Sequence, residues 1–369
     1  MRDIELQSIT LKGFKSIRSM DEFVPGSINV FIGQNGAGKS NFISFFKFLA
    51  NMLSGAGNLR VFTGMQGGAS NILFDGNVDL PLTANLHIQS KKGKNEYYFK
   101  LSHASQDTFI FNEEKFRFTP NSSPKLNNWK SLGAGHKESA LISSTEGGET
   151  QVIIRKFLQK LVVYQFHNTT FGSPIRNSSS EIQNGWFMEE DGRNLPAVLY
   201  ELSNNEPAIY NKIISILTQI IPFFLDFIFE EEYGKINLRW KERDSNKIFV
   251  ATQASDGMLR AIALVTLLCL PPARLPGVMF IDEPELGLHP SAINTICSLL
   301  QGVSEHSQVF VATQNADMLN EFDLNDVIVV TREGRESKFK RLNREDYLEW
   351  LDDYSLAQLW KQNIIGGRP

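Results

Sequence analysis

The chain has 369 residues, 42% of them hydrophobic and 21% charged, with a formal net charge of -4. That balance excludes a disordered chain and a wholly basic nucleic-acid-binding surface, and the length suits one large α/β unit with insertions or two smaller ones. No apolar run can span a bilayer and the start lacks a signal-peptide core, so the expectation is a cytoplasmic protein with no membrane partner.

In chain order, Ile4, Leu6, Ile9 and Leu11 alternate with polar residues and predict a strand ending at Gly13-Phe14-Lys15-Ser16-Ile17. A second strand, Ser27 to Ile32, leads into Gly33-Gln34-Asn35-Gly36-Ala37-Gly38-Lys39-Ser40 and then a helix. The spacing fits the phosphate-binding loop G-x-x-x-x-G-K-[ST]. Its glycines let backbone N–H groups curl around phosphates, Lys39 adds a cation, and Ser40 offers a hydroxyl to Mg²⁺. A nucleotide is the implied ligand. The glycine-rich stretch that follows, Gly55 to Gly57 and Gly64 to Gly68, reads as a flexible connection skirting that site.

From 80 to 118 apolar and polar residues alternate, broken at Lys91-Lys92-Gly93-Lys94-Asn95, which predicts an antiparallel sheet with a hairpin. Residues 119–150, rich in Asn, Ser, Gly and Lys, read as a long mobile surface insertion. Its Lys125, Lys130, His136 and Lys137 can meet phosphates, although a solvated loop explains them more simply. Next come a helix over 151–160, a buried strand over 161–166, a polar loop over 167–176 and helices over 195–202 and 207–221. No sustained heptads are present, so no long coiled-coil arm is expected. Strands are predicted over 236–240 and 248–251.

Ala254-Ser255-Asp256-Gly257 opens a further helix, 259–270, and a Ser-x-Gly at a helix N-terminus suits a phosphate as well as an ordinary cap. The apolar strand Gly277 to Ile281 closes on Asp282-Glu283. Carboxylates at a strand end are costly unless a metal or a reaction uses them; in phosphate-loop NTPases the first holds Mg²⁺ and the second polarises the attacking water. Edge strands over 326–331 and 339–342 and terminal helices over 347–360 complete the chain. No acidic cluster of the kind a fused nuclease needs follows them. Cys269 and Cys297 lie in apolar helical contexts and read as buried thiols.

Taken together, the phosphate loop, Tyr164 to Arg176, Asp191 to Leu202, Ser255 to Arg260 and the run Asp282-Glu283-Pro284-Glu285-Leu286-Gly287-Leu288-His289-Pro290 resemble the ABC-type ATPases of the SMC, RecF and OLD group. The likeness is strongest to compact bacterial AAA-type ATPases related to RecF, without coiled-coil arm or Toprim domain. It implies one α/β ABC-ATPase head over 1–369: a mixed sheet with the phosphate loop, an antiparallel β lobe (80–118), a mobile insertion (119–150), a helical signature lobe (151–254), the second half of the core (255–342) and C-terminal helices (343–369). It also implies ATP and Mg²⁺, with Gly33, Asn35, Gly36, Ala37, Gly38, Lys39, Ser40 and Asn41 around the phosphates and Ser255 and Gly257 supplied by a second subunit. Ser40, Asp282 and the family's metal-sensing glutamine, here assigned to Gln66, would hold the metal, and Glu283 would be the base.

Where relatives carry a His after the Thr that ends the last parallel strand, this chain has Gln314. A glutamine donates a neutral hydrogen bond but carries no charge, so slow or partner-stimulated hydrolysis is expected. Similar proteins often read His-Phe-His-Asp-Thr where this one has Gln165-Phe166-His167-Asn168-Thr169, and His167 alone reads as a loop residue. The resemblance implies an ATP-driven switch that forms a homodimer or higher oligomer and controls a separately encoded effector, in anti-phage defence or DNA maintenance. A RecF-like clamp on DNA and an ATP-binding scaffold with little hydrolysis are the alternatives.

Overall fold

The computed structural model describes residues 4–123, 125–143, 148–177 and 179–367. Two six-stranded sheets enclose one helix between them. The first is antiparallel, in the order β2 (Ile17–Phe23), β1 (Ile4–Phe14), β4 (Leu82–Ser90), β5 (Gly93–Ala104), β6 (Thr108–Pro120) and β7 (Lys130–Gly133). The second runs β18 (Glu336–Arg341), β17 (Val327–Glu333), β3 (Ile28–Ile32), β16 (Gln308–Thr313), β15 (Val278–Asp282) and β8 (Leu161–Tyr164), all parallel except the edge pair β17–β18. β3, β15 and β16 are near-continuous apolar runs, as strands covered on both faces must be.

The helix between the sheets is α1 (Lys39–Ser54), and its phenylalanines explain its place. Phe42, Phe45, Phe46 and Phe48 are all fully buried, so this helix is apolar on more than one side. Phe46 stacks on Phe280 of β15 at 4.1 Å, while Phe45 meets Phe14 of β1 edge-on at 5.3 Å. The two sheets are also joined directly, because the buried Gln308 side chain accepts from Leu6 N at 2.6 Å and donates to Leu6 O at 3.0 Å.

Helices α5 (Leu195–Asn205), α6 (Pro207–Ile220), α7 (Asp256–Leu268) and α8 (Pro290–Ser304) build a second core on the other face of the parallel sheet. Two small three-stranded sheets extend this lobe: β9 (Ser179–Glu181), β11 (Glu231–Glu232) and β12 (Lys235–Asn237) form one, and β10 (Phe224–Phe227), β13 (Arg239–Glu242) and β14 (Ile248–Val250) the other. The strand expected over 236–240 is thus divided between two sheets at Leu238.

Three other expectations change. The glycine-rich stretch contains a helix, α2 (Asn58–Met65), whose first N–H groups are capped by Glu138: Leu59 N and Arg60 N donate to its carboxylate, each at 3.1 Å. That contact, β7, the short helix α3 (Ala140–Ser143) and the buried Glu114 attach much of the insertion to the β lobe. Glu114 accepts from Ser139 Oγ at 2.6 Å and Ala140 N at 2.9 Å, with His136 Nε2 2.8 Å away. His136 is therefore a buttress rather than a phosphate contact. Lys130 lies in β7, and Lys125 and Lys137 are exposed. Residues 144–147 of that insertion lie outside the described residues. Finally, β17 is interior, between β18 and β3, not an edge.

The helix expected over 151–160 is α4 (Glu149–Gln159), and α9 (Leu348–Leu351) and α10 (Leu356–Lys361) follow β18. Cys269 and Cys297 are buried free thiols, and no helix among the described residues is long and apolar enough to cross a membrane.

Candidate functional site

Because β3, β8, β15 and β16 run parallel, their C-terminal ends emerge on one side of the sheet. The register places Asp282 opposite Ala312, Ile281 opposite Tyr164 and Thr313 opposite Ile32. Four residues far apart in the chain, Gly33, Gln165, Asp282 and Gln314, therefore follow or end neighbouring strands, where open parallel sheets place their ligands.

The loop after β3 is held from behind. Gly38 has φ +112, and a Cβ there would stand 2.0 Å from Ser337 Oγ and 2.8 Å from Ser16 Oγ. Ser337 Oγ donates to Ala37 O at 2.6 Å and lies 2.7 Å from Ser16 Oγ, which accepts from Asn41 Nδ2 at 2.8 Å. Asn41 thus braces the loop. Arg332 adds a bond to Gly36 O at 3.1 Å. Asn35 and Gly36 are exposed and Ala37 is buried. Lys39 is buried, and its Nζ donates to Gly33 O at 2.6 Å and Gln34 O at 3.1 Å. Burial pulls its pKa down, opposed by Asp282, Glu283 and Glu285.

Facing it, the Asp282 carboxyl lies within the influence of the Ser40 hydroxyl, and its Oδ1 is buried with no partner. Burial pushes its pKa up and Glu283 adds to this, while the Ser40 hydroxyl, His167 and Lys39 pull the other way. No group of three His, Cys, Asp or Glu among the described residues could hold a metal by itself. Ser40 and Asp282 nonetheless fit Mg²⁺, which takes one or two protein oxygens and completes its shell with water and phosphate. The glycine cradle, the buried lysine and the orphaned Asp282 Oδ1 together fit a nucleotide triphosphate with its metal.

Glu283 sits at φ +48, a strained conformation for a residue with a side chain. Its N–H donates to Ala312 O at 2.8 Å, and Gln314 Nε2 donates to its carboxylate. Glu285 accepts from Thr313 Oγ1 at 2.6 Å and from Gln314 N at 3.1 Å. Glu283 and Gln314, expected to act together, are thus in contact.

Gln66 is different. It is exposed, caps α2 through its N–H, and accepts from Asn71 through its carbonyl; no described contact joins its side chain to Lys39, Ser40 or Asp282. Another glutamine stands at the end of β8, the strand paired with β15. Gln165 accepts from Lys47 of α1 at 2.7 Å, one residue beyond the pairing of Tyr164 with Ile281, and His167 acts electrostatically on Asp282. A polar residue directly after a buried strand was the sequence signal for it.

Ser255 and Gly257 stand apart from these groups. Ser255 is the exposed N-cap of α7, accepting from Met258 N at 3.2 Å. Gly257 packs on the turn after Glu283, where a Cβ would meet Gly287 O at 2.3 Å. Among the described contacts, neither touches Lys39, Ser40, Asp282 or Glu283.

Residues 28–319 match the family described as "AAA domain, putative AbiEii toxin, Type IV TA system". The chain belongs to this AAA-domain family. Solved structures show the same fold at low identity. An SMC head bound to the C-terminal winged-helix domain of ScpA is 15% identical, with TM-score 0.60 over 93% of this chain and 99% of that one. A Pyrococcus furiosus SMC head with an extended coiled coil is 14% identical, with TM-score 0.57 over 95% and 99%. A curated relative, urease accessory protein 2 of Cryptococcus neoformans, is 49% identical over only 47 residues, 12% of this chain and 4% of that protein. The chain is thus an AAA-family ATPase domain with the SMC-head fold.

Two arginines that the sequence reading left without a role complete the AAA domain's site region. Arg176 donates to Thr169 O at 2.7 Å, Ala254 O at 2.8 Å and Asp256 Oδ1 at 2.6 Å. Arg260 donates to Leu286 O at 3.0 Å and His167 O at 2.6 Å. Beside the phosphate loop lies an open cavity of about 360 Å³, lined by Lys15, Ser16, Asn41, Asn71, Asp75 and Arg332.

Proposed function

We propose that this protein is an ATP-driven switch: ATP·Mg²⁺ joins two copies head to head, and hydrolysis separates them. The observation that carries the reading is the separation of the site into two parts. Phosphate loop, Asp282 and Glu283 form one cluster, while the exposed Ser255 and the half-buried Gly257, chemically suited to a γ-phosphate, touch none of it in their own subunit. A second copy brings them to it. In this scheme Gly33 to Ser40 hold the phosphates, Lys39 leaves its carbonyl partners for the γ-phosphate, and the cavity lined by Lys15 and Arg332 takes the nucleoside. Ser40 and Asp282 would hold Mg²⁺, which would neutralise phosphate charge.

Glu283 would accept the proton of the attacking water. With Gln314 donating to that carboxylate, the base starts out occupied, so turnover is slow until the contact is released. The energetic requirement is differential: ATP must favour the dimer over separate heads by more than ADP does. The family's description, a putative toxin of a Type IV TA system, supports a separately encoded partner as the recipient of the signal. A DNA clamp is less favoured. On the β lobe, Lys115 lies over Tyr98 and Arg117 over Trp129, and both cations are already paired, with Glu113 and Glu96.

The test is mass in solution with ATP·Mg²⁺ for the wild type and for Glu283→Gln. A dimer that accumulates in the variant only with ATP is the expected result. A variant that stays monomeric at saturating ATP would overturn the switch.

A further inference from the structure

Within one subunit, the helix that begins at Ser255 and Gly257 is tied to that subunit's own Asp282-Glu283 side through a guanidinium. Arg260 stands one turn into α7, after Gly257. One of its terminal nitrogens donates to Leu286 O at 3.0 Å, in the turn that follows Glu283. The other donates to His167 O at 2.6 Å and lies 3.4 Å from Thr169 Oγ1, in the loop that continues from β8 beside Asp282. Its Nε is buried without a partner, so the side chain is held by these three acceptors rather than by a carboxylate. The surrounding backbone leaves little slack: Gly257 is in direct contact with Gly287, which sits at φ +77, and a Cβ on Gly287 would come within 2.9 Å of the same guanidinium.

The alternative anchor differs in kind. Arg176 grips Ala254 before α7 and Asp256, the first residue of α7, and reaches the β8 loop at Thr169, but no described bond joins it to the turn after Glu283. Arg260 is thus the side chain that bonds to both the β8 loop and the turn after Glu283 from the helix that carries Gly257.

We infer that Arg260 is a positioning residue that couples the two nucleotide sites of the dimer, a role that rests on the head-to-head reading proposed above. A shift of the Glu283 turn or of the His167 loop when a subunit binds ATP moves the acceptors of Arg260. Because the guanidinium is planar and fixed in its donor directions, the start of α7 follows them. The half-site lent to the partner is therefore set by the lender's own nucleotide state. Arg260 touches no nucleotide of its own subunit, and its effect appears in dimerisation and cooperativity rather than in the first binding step.

The experiment compares Glu283→Gln with Glu283→Gln/Arg260→Gln. Dimerisation is followed by solution mass across protein concentration at saturating ATP·Mg²⁺, and ATP binding by a fluorescent analogue at concentrations where only monomer exists. The second substitution is expected to raise the concentration needed for dimer at least about tenfold, with binding to the monomer unchanged within about twofold. In a Glu283 background, Arg260→Lys is expected to bring the Hill coefficient for ATP hydrolysis down to about 1 from a higher wild-type value. Lysine keeps the charge and the stem but cannot donate to both segments at once. It also decides the matter should Arg260→Gln lower the melting temperature without nucleotide.

Dimerisation of the double variant at the concentration of the single one, or unchanged cooperativity in Arg260→Lys, overturns the coupling role. So does equal loss of monomer ATP binding, which would make Arg260 a general brace. If Glu283→Gln alone fails to dimerise with ATP, the head-to-head reading falls and this inference falls with it.

Discussion

The phosphate-loop half of the site and the signature half are built to different standards. Around Gly33 to Ser40, hydroxyls from β18 and the β1–β2 turn, the Asn41 amide and Arg332 fix the backbone, and Lys39 is 5% exposed. Around Ser255 to Gly257 the serine is exposed and the glycine half-buried, and the anchors are arginine side chains: Arg176 bonds to Ala254 O and Asp256, and Arg260 of the helix that begins there reaches carbonyls of two neighbouring loops. The first half is preorganised for a ligand it binds alone, which lowers the ordering cost of binding. The second can shift with its anchors, as a surface completed by another subunit must.

Substitutions at equivalent places in the two halves test that contrast. The largest effect belongs to chemistry: Glu283→Gln is expected to lower ATP turnover by about 10²–10⁴-fold, the usual share of a positioned base, with ATP binding retained. Single-turnover hydrolysis measures it, and a fall of less than tenfold would assign the base elsewhere. Lys39→Ala removes a charge-assisted contact of about 2–3 kcal/mol and is expected to weaken ATP binding about 30- to 200-fold. Titration of monomer with a fluorescent ATP analogue reads this directly.

The two glycines sharpen the comparison. Gly38→Ala needs a Cβ 2.0 Å from Ser337 Oγ at φ +112, where strain and overpacking add to about 2–5 kcal/mol. Denaturant unfolding should show that loss, together with loss of ATP binding. Gly257→Ala meets Gly287 O at 2.3 Å, a backbone atom that only a shift of the turn can clear, but it carries no left-handed backbone strain. Its expected cost is about 1–3 kcal/mol, with monomer ATP binding intact and ATP-induced dimer lost. Should Gly257→Ala destabilise the chain and weaken monomer binding as Gly38→Ala does, the two halves are not built differently after all.

Much of the first half was readable from the sequence because it is local: a buried strand, a glycine loop and a helix are consecutive, and Asp282-Glu283 ends a strand of obvious apolar character. The fold class was readable for the same reason, since strands such as Val278–Asp282 and Gln308–Thr313 announce themselves by near-continuous apolar runs. What could not be read was placement that only topology supplies. Gln66 and Gln165 both follow a periodic segment, and nothing local says which one arrives beside β15; the pairing of β8 with β15 decides it. Ser16 and Ser337 are ordinary serines until a sheet edge and a turn bring them within 2.7 Å behind Gly38. The insertion read as loose because its anchor, Glu114, is a buried carboxyl in a strand, and the insertion groups that satisfy it are more than twenty residues away.

Gln314 lies where the two halves of the catalytic apparatus meet, and its expected effect is smaller. Its amide holds the Glu283 carboxylate, and its own backbone is held by Glu285. Gln314→His replaces a neutral donor with a ring that can carry charge toward a γ-phosphate and free Glu283 when ATP arrives. Steady-state hydrolysis is expected to rise about 3- to 10-fold, corresponding to about 1 kcal/mol of barrier. ATP affinity should change by less than about twofold. No change in turnover would mean that the glutamine is not what restrains the base.

The smallest effect concerns stability and runs opposite to function. Burial, with Glu283 beside it, raises the Asp282 pKa above its ordinary 3.8. The folded chain therefore holds that proton more tightly than the unfolded chain, and protonation favours folding. The resulting penalty is absent below about pH 3.8, grows as pH rises through the folded value, and is complete at neutral pH. Asp282→Asn removes the ionised group, so without nucleotide the variant should be more stable than wild type at pH 7 by about 1 kcal/mol. That advantage should shrink toward zero in acid. With ATP·Mg²⁺ the order reverses, because the metal needs the carboxylate and ligand stabilisation follows affinity. Thermal melts at two pH values, with and without ATP·Mg²⁺, give the four numbers required. A variant less stable than wild type at pH 7 without nucleotide would mean that the Ser40 hydroxyl outweighs burial and that Asp282 is a structural carboxylate rather than one kept waiting for a cation.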